Sequence, residues 1–170
     1  MRLTNIKSPE TEKLQVPRNL AQWTGNRGLL TLALDAGQNV QWGEKDRTLP
    51  MQSAYQPKML LTLLTFCYAS GIYGSQDILQ AMQTKDSVRY ICAHNYPDWA
   101  ILRKFRRAYR SQLEQALRWV LQQAWAKRFD EAEADYLGYE WFETYLNANL
   151  DALVQGRLEL AILMDGVESE

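Results

Sequence analysis

Histidine occurs once in this 170-residue chain and cysteine twice, and no apolar run approaches the length needed to cross a bilayer. The lone His94 and the isolated Cys67 and Cys92 provide no ligand set at metal-binding spacing. Nor do they provide a disulfide framework. Both cysteines lie in apolar segments and read as buried free thiols of a reducing compartment. The most apolar run, Leu60 to Phe66, is far too short to span a membrane, and the polar start MRLTNIKSPETEKLQ lacks the apolar core of a secretory signal. No nucleophile sits beside a base and no glycine-rich phosphate loop occurs. The expectation is a cytoplasmic protein, not an enzyme, with no metal and no cofactor.

What is present is apolar residues, at 46%, and charge that is unevenly placed. The chain is long enough for one well-packed domain with an appendage. Residues 1–129 hold 18 basic and 9 acidic residues, a balance of +9, whereas residues 130–170 hold Arg157 and 11 acids, a balance of −10. Such asymmetry suggests a basic working body and an acidic C-terminal part. The plainer alternative makes the acidic part a solvated helix face.

The periodicity is helical through most of the chain. Residues 1–50 read as an N-terminal arm and small subelement: 1–20 form a loose arm with Pro9 and Pro17. Gly28 to Ala36 fits a helix or a strand, and Gly37, Asn39 and Gly43 begin a loop that lasts to Pro50. From Pro57 the residues Met59, Leu60, Leu63, Leu64, Cys67 and Tyr68 follow at spacings of three and four, and Gly71 closes that helix. Ser75 reads as the N-cap of a second helix with Asp77 in its first turn, and Asp86 as the cap of a short third one. A turn, Ala93 to Pro97, precedes a helix capped by Asp98 that is open to continuation towards Trp125. Lys127 to Asp135 reads as a connection. Tyr136 to Met164 reads as one or two helices with Gly138 and Gly156 as candidate breaks. The expected fold is mainly α: a helical bundle with a helix-turn-helix-like core over 51–126 and an acidic C-terminal helical extension over 127–170.

Between Trp99 and Leu113 there are five basic residues and no acidic one. Arg103, Arg106, Arg107 and Arg110 follow the spacing i, i+3, i+4, i+7 and so project from one side of a helix. Ile101, Leu102, Phe105, Tyr109 and Leu113 form a second stripe suited to a core. Four guanidiniums side by side repel one another unless an anion meets them, and phosphate matches their planar forks. Two short helices, a turn and a basic amphipathic helix follow the logic of a helix-turn-helix in the broad sense. Lys104 lies off the stripe as added backbone contact, and Arg89 one helix upstream as outlying support.

At these residues the chain resembles the N-terminal, DNA-binding domain of DDE-type bacterial insertion-sequence transposases. The resemblance runs through Tyr55-Gln56-Pro57-Lys58-Met59-Leu60, Tyr68-Ala69-Ser70-Gly71, Ser75 with Ile78 and Ala81, Asp86, Arg89, Pro97-Asp98, Ile101 and Phe105-Arg106. It covers about residues 50–125. It implies a helical domain that engages the transposon end, ahead of an RNase H-like catalytic domain. Here only 45 residues follow Trp125, with little strand pattern. Three carboxylates converging on two metal ions therefore do not carry over. The implied protein is a non-catalytic DNA binder, a regulator or inhibitor of transposition, with double-stranded DNA as partner.

A second class of function stays open: a protein-interaction module, an adaptor or self-inhibited scaffold whose acidic tail covers the basic body. His94 reads as a structural loop residue. Trp99, Trp119, Trp125 and Trp141 read as packing residues, as do Tyr109, Tyr136, Tyr139 and Tyr145. The C-terminal series Phe142, Leu146, Leu150, Leu153, Leu158 and Ile162 is suited either to docking on the body or to a homodimer through the C-terminal helices.

Overall fold

In a computed structural model the chain is described over residues 16–43, 55–131 and 136–168. These residues form eight helices: α1 (Ala21–Thr24), α2 (Asn26–Asn39), α3 (Pro57–Ala69), α4 (Ser75–Thr84), α5 (Asp86–Cys92), α6 (Trp99–Ala108), α7 (Arg110–Glu131) and α8 (Tyr136–Glu168). No strand occurs among them. The mainly α fold class follows.

α3 is the central element because it is apolar on every side. Ten consecutive residues, Leu60 to Ala69, are buried, which a one-sided amphipathic helix cannot achieve. Pro57 occupies its first turn, where the missing N–H costs nothing. Its end is a Schellman motif: Ile72 N–H donates to Cys67 C=O at 2.8 Å and Gly71 N–H to Tyr68 C=O at 3.4 Å, with Gly71 at φ +84°. A side chain at Gly71 would also collide with Arg18, whose Cγ lies 2.6 Å from the position a Cβ would take.

One hydrophobic cluster runs from Leu20 and Leu29 through α3 and α7 to Leu150, Val154, Leu158 and Ala161 on α8. The arm, the central segment and the C-terminal extension thus share a core. Residues 1–15 lie outside the described residues, but the end of the expected loose arm is fixed. Leu20 is fully buried and its N–H donates to Ala69 C=O at 3.0 Å.

Several local alternatives are resolved and several local expectations corrected. The Gly28–Ala36 segment is helical, and the helix passes through Gly37 and Asn39, which the sequence assigned to a loop. A Cβ on Gly37 would lie 3.1 Å from Thr62 Oγ1, so this glycine permits close approach of α2 to α3. The remainder of the expected loop, 44–50, lies outside the described residues. Lys127 to Glu131 belong to α7, and residues 132–135 of the expected connection are not described. The final segment is one helix, α8, unbroken at Gly138 or Gly156. The basic helix does not continue to Trp125. It ends at Ala108, Tyr109 leaves helical geometry at φ −119°, ψ 33°, and α7 starts at Arg110.

Candidate nucleic-acid interface

Asp98 caps α6 as expected, its carboxylate accepting from Ile101 N–H at 2.9 Å. The apolar stripe also packs as expected, with Leu102, Phe105, Tyr109 and Leu113 buried. Phe105 and Tyr109 stack with ring centroids 4.6 Å apart. Fixing that face inward sets where each cation of the helix points.

The four arginines do not form one open stripe. Arg106 is 7% exposed and forms an ion pair with Asp165 of α8, which is 4% exposed. Burial works against the charge on Arg106, but Asp165 and the nearby Tyr68 hydroxyl outweigh it and hold the guanidinium above its ordinary pKa. Asp165 also meets Arg103 Nε at 3.5 Å. Arg103 lies across the Trp99 ring, 4.7 Å from its centroid. Arg110 is half-exposed, donating to Glu114 at 3.1 Å and to Gln155 of α8 at 2.5 Å. The premise of an uncompensated stripe is therefore corrected: one internal carboxylate already pairs with both Arg103 and Arg106. The reason is geometric. With Leu102 and Phe105 turned inward, Arg103 and Arg106 flank the core edge against which α8 lies.

The cations left facing solvent are Lys104 and Arg107, three residues apart, with exposed Ala100, Ala108 and Ser111 along the same side. Among the described residues no ion pair holds either one. Arg89 is exposed one helix upstream, paired with Asp86, and Lys85 is exposed beside it. Lys104, which the spacing placed off the stripe, is thus on the open face, and Arg106, which it placed on the stripe, is inside.

Two residues of α8, Asp165 and Arg157, carry the arrangement, and periodicity did not single them out. Ser75 is not the N-cap of α4. It is the first helical residue, it is buried, and its N–H donates to Asp165 Oδ1 at 2.8 Å. The cap comes from 90 residues away, and a carboxylate suits a helix N-terminus because the free N–H groups concentrate there. Similarly, Asp86 is a first-turn residue of α5 and not its cap. The second is Arg157, counted from the sequence only as the lone base of the acidic segment. Its guanidinium donates to the carbonyls of Pro17 (2.8 Å), Arg18 (2.8 Å), Tyr68 (2.7 Å) and Ala69 (3.3 Å), and lies 3.4 Å from the Tyr73 hydroxyl. Tyr68 and Ala69 end α3, where unpaired carbonyls concentrate negative charge. Burial lowers the pKa of Arg157; Tyr73 opposes this and Arg18 adds to it. The available signal was its spacing with Val154, Leu158 and Ala161, which puts Arg157 on the inward face of α8.

Trp99 is 45% exposed, so its assignment as a packing residue is corrected, whereas Trp125 is buried. Ile162 is likewise 44% exposed instead of docked. Phe142, Leu146, Trp141, Tyr136, Tyr139 and Tyr145 have side chains outside the described residues. Cys67 and Cys92 are buried free thiols. Burial pushes Cys92 up to about 11 and Cys67 higher still. Both stay protonated at neutral pH. Iodoacetamide at pH 8 is expected to leave both unmodified in the folded protein and to label both in urea. Labelling of either without denaturant, read by mass spectrometry, would contradict this burial.

Among the described residues no group of His, Cys, Asp or Glu is placed to hold a metal ion, and no helix is long and apolar enough to cross a membrane. Compared with protein-family models, curated proteins and solved structures, the chain matches none.

Proposed function

We propose that the chain is a non-catalytic, helix-turn-helix-like protein that binds double-stranded DNA through the outer face of α6, in the manner the transposase resemblance implies. A role in regulating or inhibiting transposition goes with that reading. The observation that carries it is the outward pair Lys104 and Arg107, on a helix whose opposite side is locked into the core. Exposed Lys85, just before α5, and Arg89, within it, add basic charge upstream, and half-exposed Arg110 follows α6.

The positions that carry the resemblance are consistent with a shared skeleton. Leu60, Tyr68, Ser75, Ile78, Pro97, Phe105 and Arg106 are all buried, and Gly71 has the left-handed backbone of a helix end. Those residues build the scaffold, and the contacts with phosphate fall to exposed ones beside them. Pairing of two copies through α8, which sets two footprints at a fixed spacing, draws support from the exposed Leu160, Leu163 and Val167.

A second reading is favoured by Asp165: a self-closed interaction scaffold in which α8 has taken the place of an external anion on Arg103 and Arg106. The two readings separate in one experiment. Titrating a fluorescent 20-base-pair duplex at several salt concentrations, the wild type is expected to bind at low salt. Lys104→Ala/Arg107→Ala is expected to weaken binding by roughly tenfold or more and to reduce the salt slope by about 2, since each phosphate contact contributes about 0.9. Absence of binding by the wild type even at low salt would refute the DNA reading in favour of the closed scaffold.

A further inference from the structure

The segment from Tyr90 to Trp99 carries three exposed aromatic rings in ten residues: Tyr90 at 67%, Tyr96 at 40% and Trp99 at 45%. Rings of this size are normally buried, and a group left in water marks a recognition surface. The turn that displays them is unusual. Ala93 and His94 are consecutive non-glycine residues at φ +50° and +66°, and they are the only such residues among those described. Left-handed backbone at two residues with side chains is unfavourable and persists where the surroundings over-determine it. Here Asn95 N–H closes the turn onto Cys92 C=O at 2.9 Å, and Pro97 is buried behind it.

Two of the rings are held in place. The Tyr96 carbonyl accepts from Tyr55 Oη at 3.1 Å, and its ring meets His94 edge to face at 6.5 Å. Trp99 is backed by the Arg103 guanidinium at 4.7 Å, and Arg103 is itself held by Asp165 at 3.5 Å. The indole is thus anchored through a cation to the last helix while nearly half of its surface stays in water. A ring ordered before binding loses little freedom on contact with a flat ligand. Arg89, Lys104 and Arg107 are exposed on the helices that flank the turn, and Lys85 is exposed just before the first of them. Exposed rings flanked on both sides in sequence by basic side chains suit binding of unpaired nucleotides: bases stack on the rings and phosphates meet the cations.

We propose that the Tyr90–Trp99 segment is a stacking surface for the bases of single-stranded DNA, contiguous in sequence with the duplex-binding face of α6. It rests on the reading of α6 as a DNA-contacting helix and adds a second class of contact to it. Arg103 and Asp165 act as positioning residues for the Trp99 ring, and Trp99, Tyr96 and Tyr90 supply the stacking faces.

The test compares three fluorescent probes against the full chain: a 20-nucleotide oligo(dT), an abasic strand of the same length, and a 20-base-pair duplex. The two single strands carry the same phosphates, so the difference between them isolates the bases. Oligo(dT) is expected to bind roughly five- to a hundredfold more tightly than the abasic strand, the range that stacking of one base provides. Trp99→Ala and Tyr90→Ala/Tyr96→Ala are expected to erase that advantage and leave duplex binding intact, while Trp99→Phe retains most of it. Circular dichroism confirms that each variant is folded. Equal affinity for the two single strands, or an undiminished advantage in Trp99→Ala, would overturn the stacking surface alone. Failure of all three probes to bind would overturn it together with the reading of α6.

Discussion

Replacing Arg157 by leucine is expected to lower the free energy of unfolding by about 3 kcal/mol, among the largest effects of any single substitution in the protein. The guanidinium serves four carbonyls at once, from Pro17, Arg18, Tyr68 and Ala69. Each buried acceptor stranded without a donor costs about 1–3 kcal/mol. Ala69 C=O keeps a partner in Leu20 N–H and Tyr68 C=O a longer one in Gly71 N–H, and Pro17 and Arg18 are not fully buried, so only part of these penalties is incurred. Removing a desolvated cation returns part of the remainder. For a chain of this length, a loss of about 3 kcal/mol corresponds to a Tm lower by roughly 6–12 °C. Arg157→Lys should recover only part of the loss, because an ammonium cannot present the planar fork that reaches four acceptors. Thermal melts followed by circular dichroism decide it. An Arg157→Leu protein that melts within 2 °C of wild type, a margin far inside the roughly 6–12 °C expected, would show that the α3 terminus is satisfied without it.

Asp165→Ala is expected to be at least as damaging, at about 3–5 kcal/mol. The carboxylate meets Ser75 N–H at the start of α4, Arg106 and Arg103. Truncation leaves Arg106 as a buried cation without its counter-charge, and removes the cap of α4. A buried ion pair is worth little relative to apolar replacement of both partners, but removing one partner is costly. The same logic makes Asp165→Asn milder, since an amide oxygen still accepts from Ser75 N–H and loses only the charge. The exposed pair between Arg118 and Asp151 provides the contrast. Its removal should change stability by less than about 1 kcal/mol. Urea denaturation of Asp165→Ala, Asp165→Asn and Asp151→Ala is expected to rank them in that order of loss. Asp165→Ala unfolding at the wild-type midpoint would remove the bridge from the account.

Much of the architecture is legible along the chain because it rests on local chemistry. Pro57, Gly71 and Asp98 mark helix boundaries through their own backbone and side-chain preferences, and each does so in the structure. The inward residues of α6 follow from spacing, whereas α3, buried on every side, also hides Leu61 and Phe66, which spacing leaves out. What periodicity does not resolve is whatever depends on partners distant in sequence. The cap of α4 comes from Asp165, so Ser75 looked self-sufficient. The break at Tyr109 has no proline or glycine to announce it, and it separates Arg110 from the three arginines before it.

The arginine spacing was real, but spacing defines a face relative to its own helix and says nothing of what lies against it. α6 is covered on one flank by the core, and on the next Asp165 of α8 reaches Arg103 and Arg106. A stripe about 100° wide therefore divides into an inner part, Arg103 and Arg106, and an outer part that begins at Arg107 and includes Lys104. The charge asymmetry pointed towards an internal partner without identifying it. Asp165 is one of 11 acids beyond residue 129, and only its place on the inward side of α8 distinguishes it.

That division of the α6 cations is most directly tested by duplex binding of the double variant Arg106→Met/Asp165→Asn, with the fold checked by circular dichroism. The substitution removes both charges of the Arg106–Asp165 pair, frees Arg103 from its carboxylate, and leaves Lys104 and Arg107 untouched. Affinity for the 20-base-pair duplex is expected to equal or exceed that of the wild type, because Arg106 belongs to the interior and Arg103 loses a competing carboxylate. A folded double variant that has lost duplex binding would place Arg106 on the DNA and contradict the account.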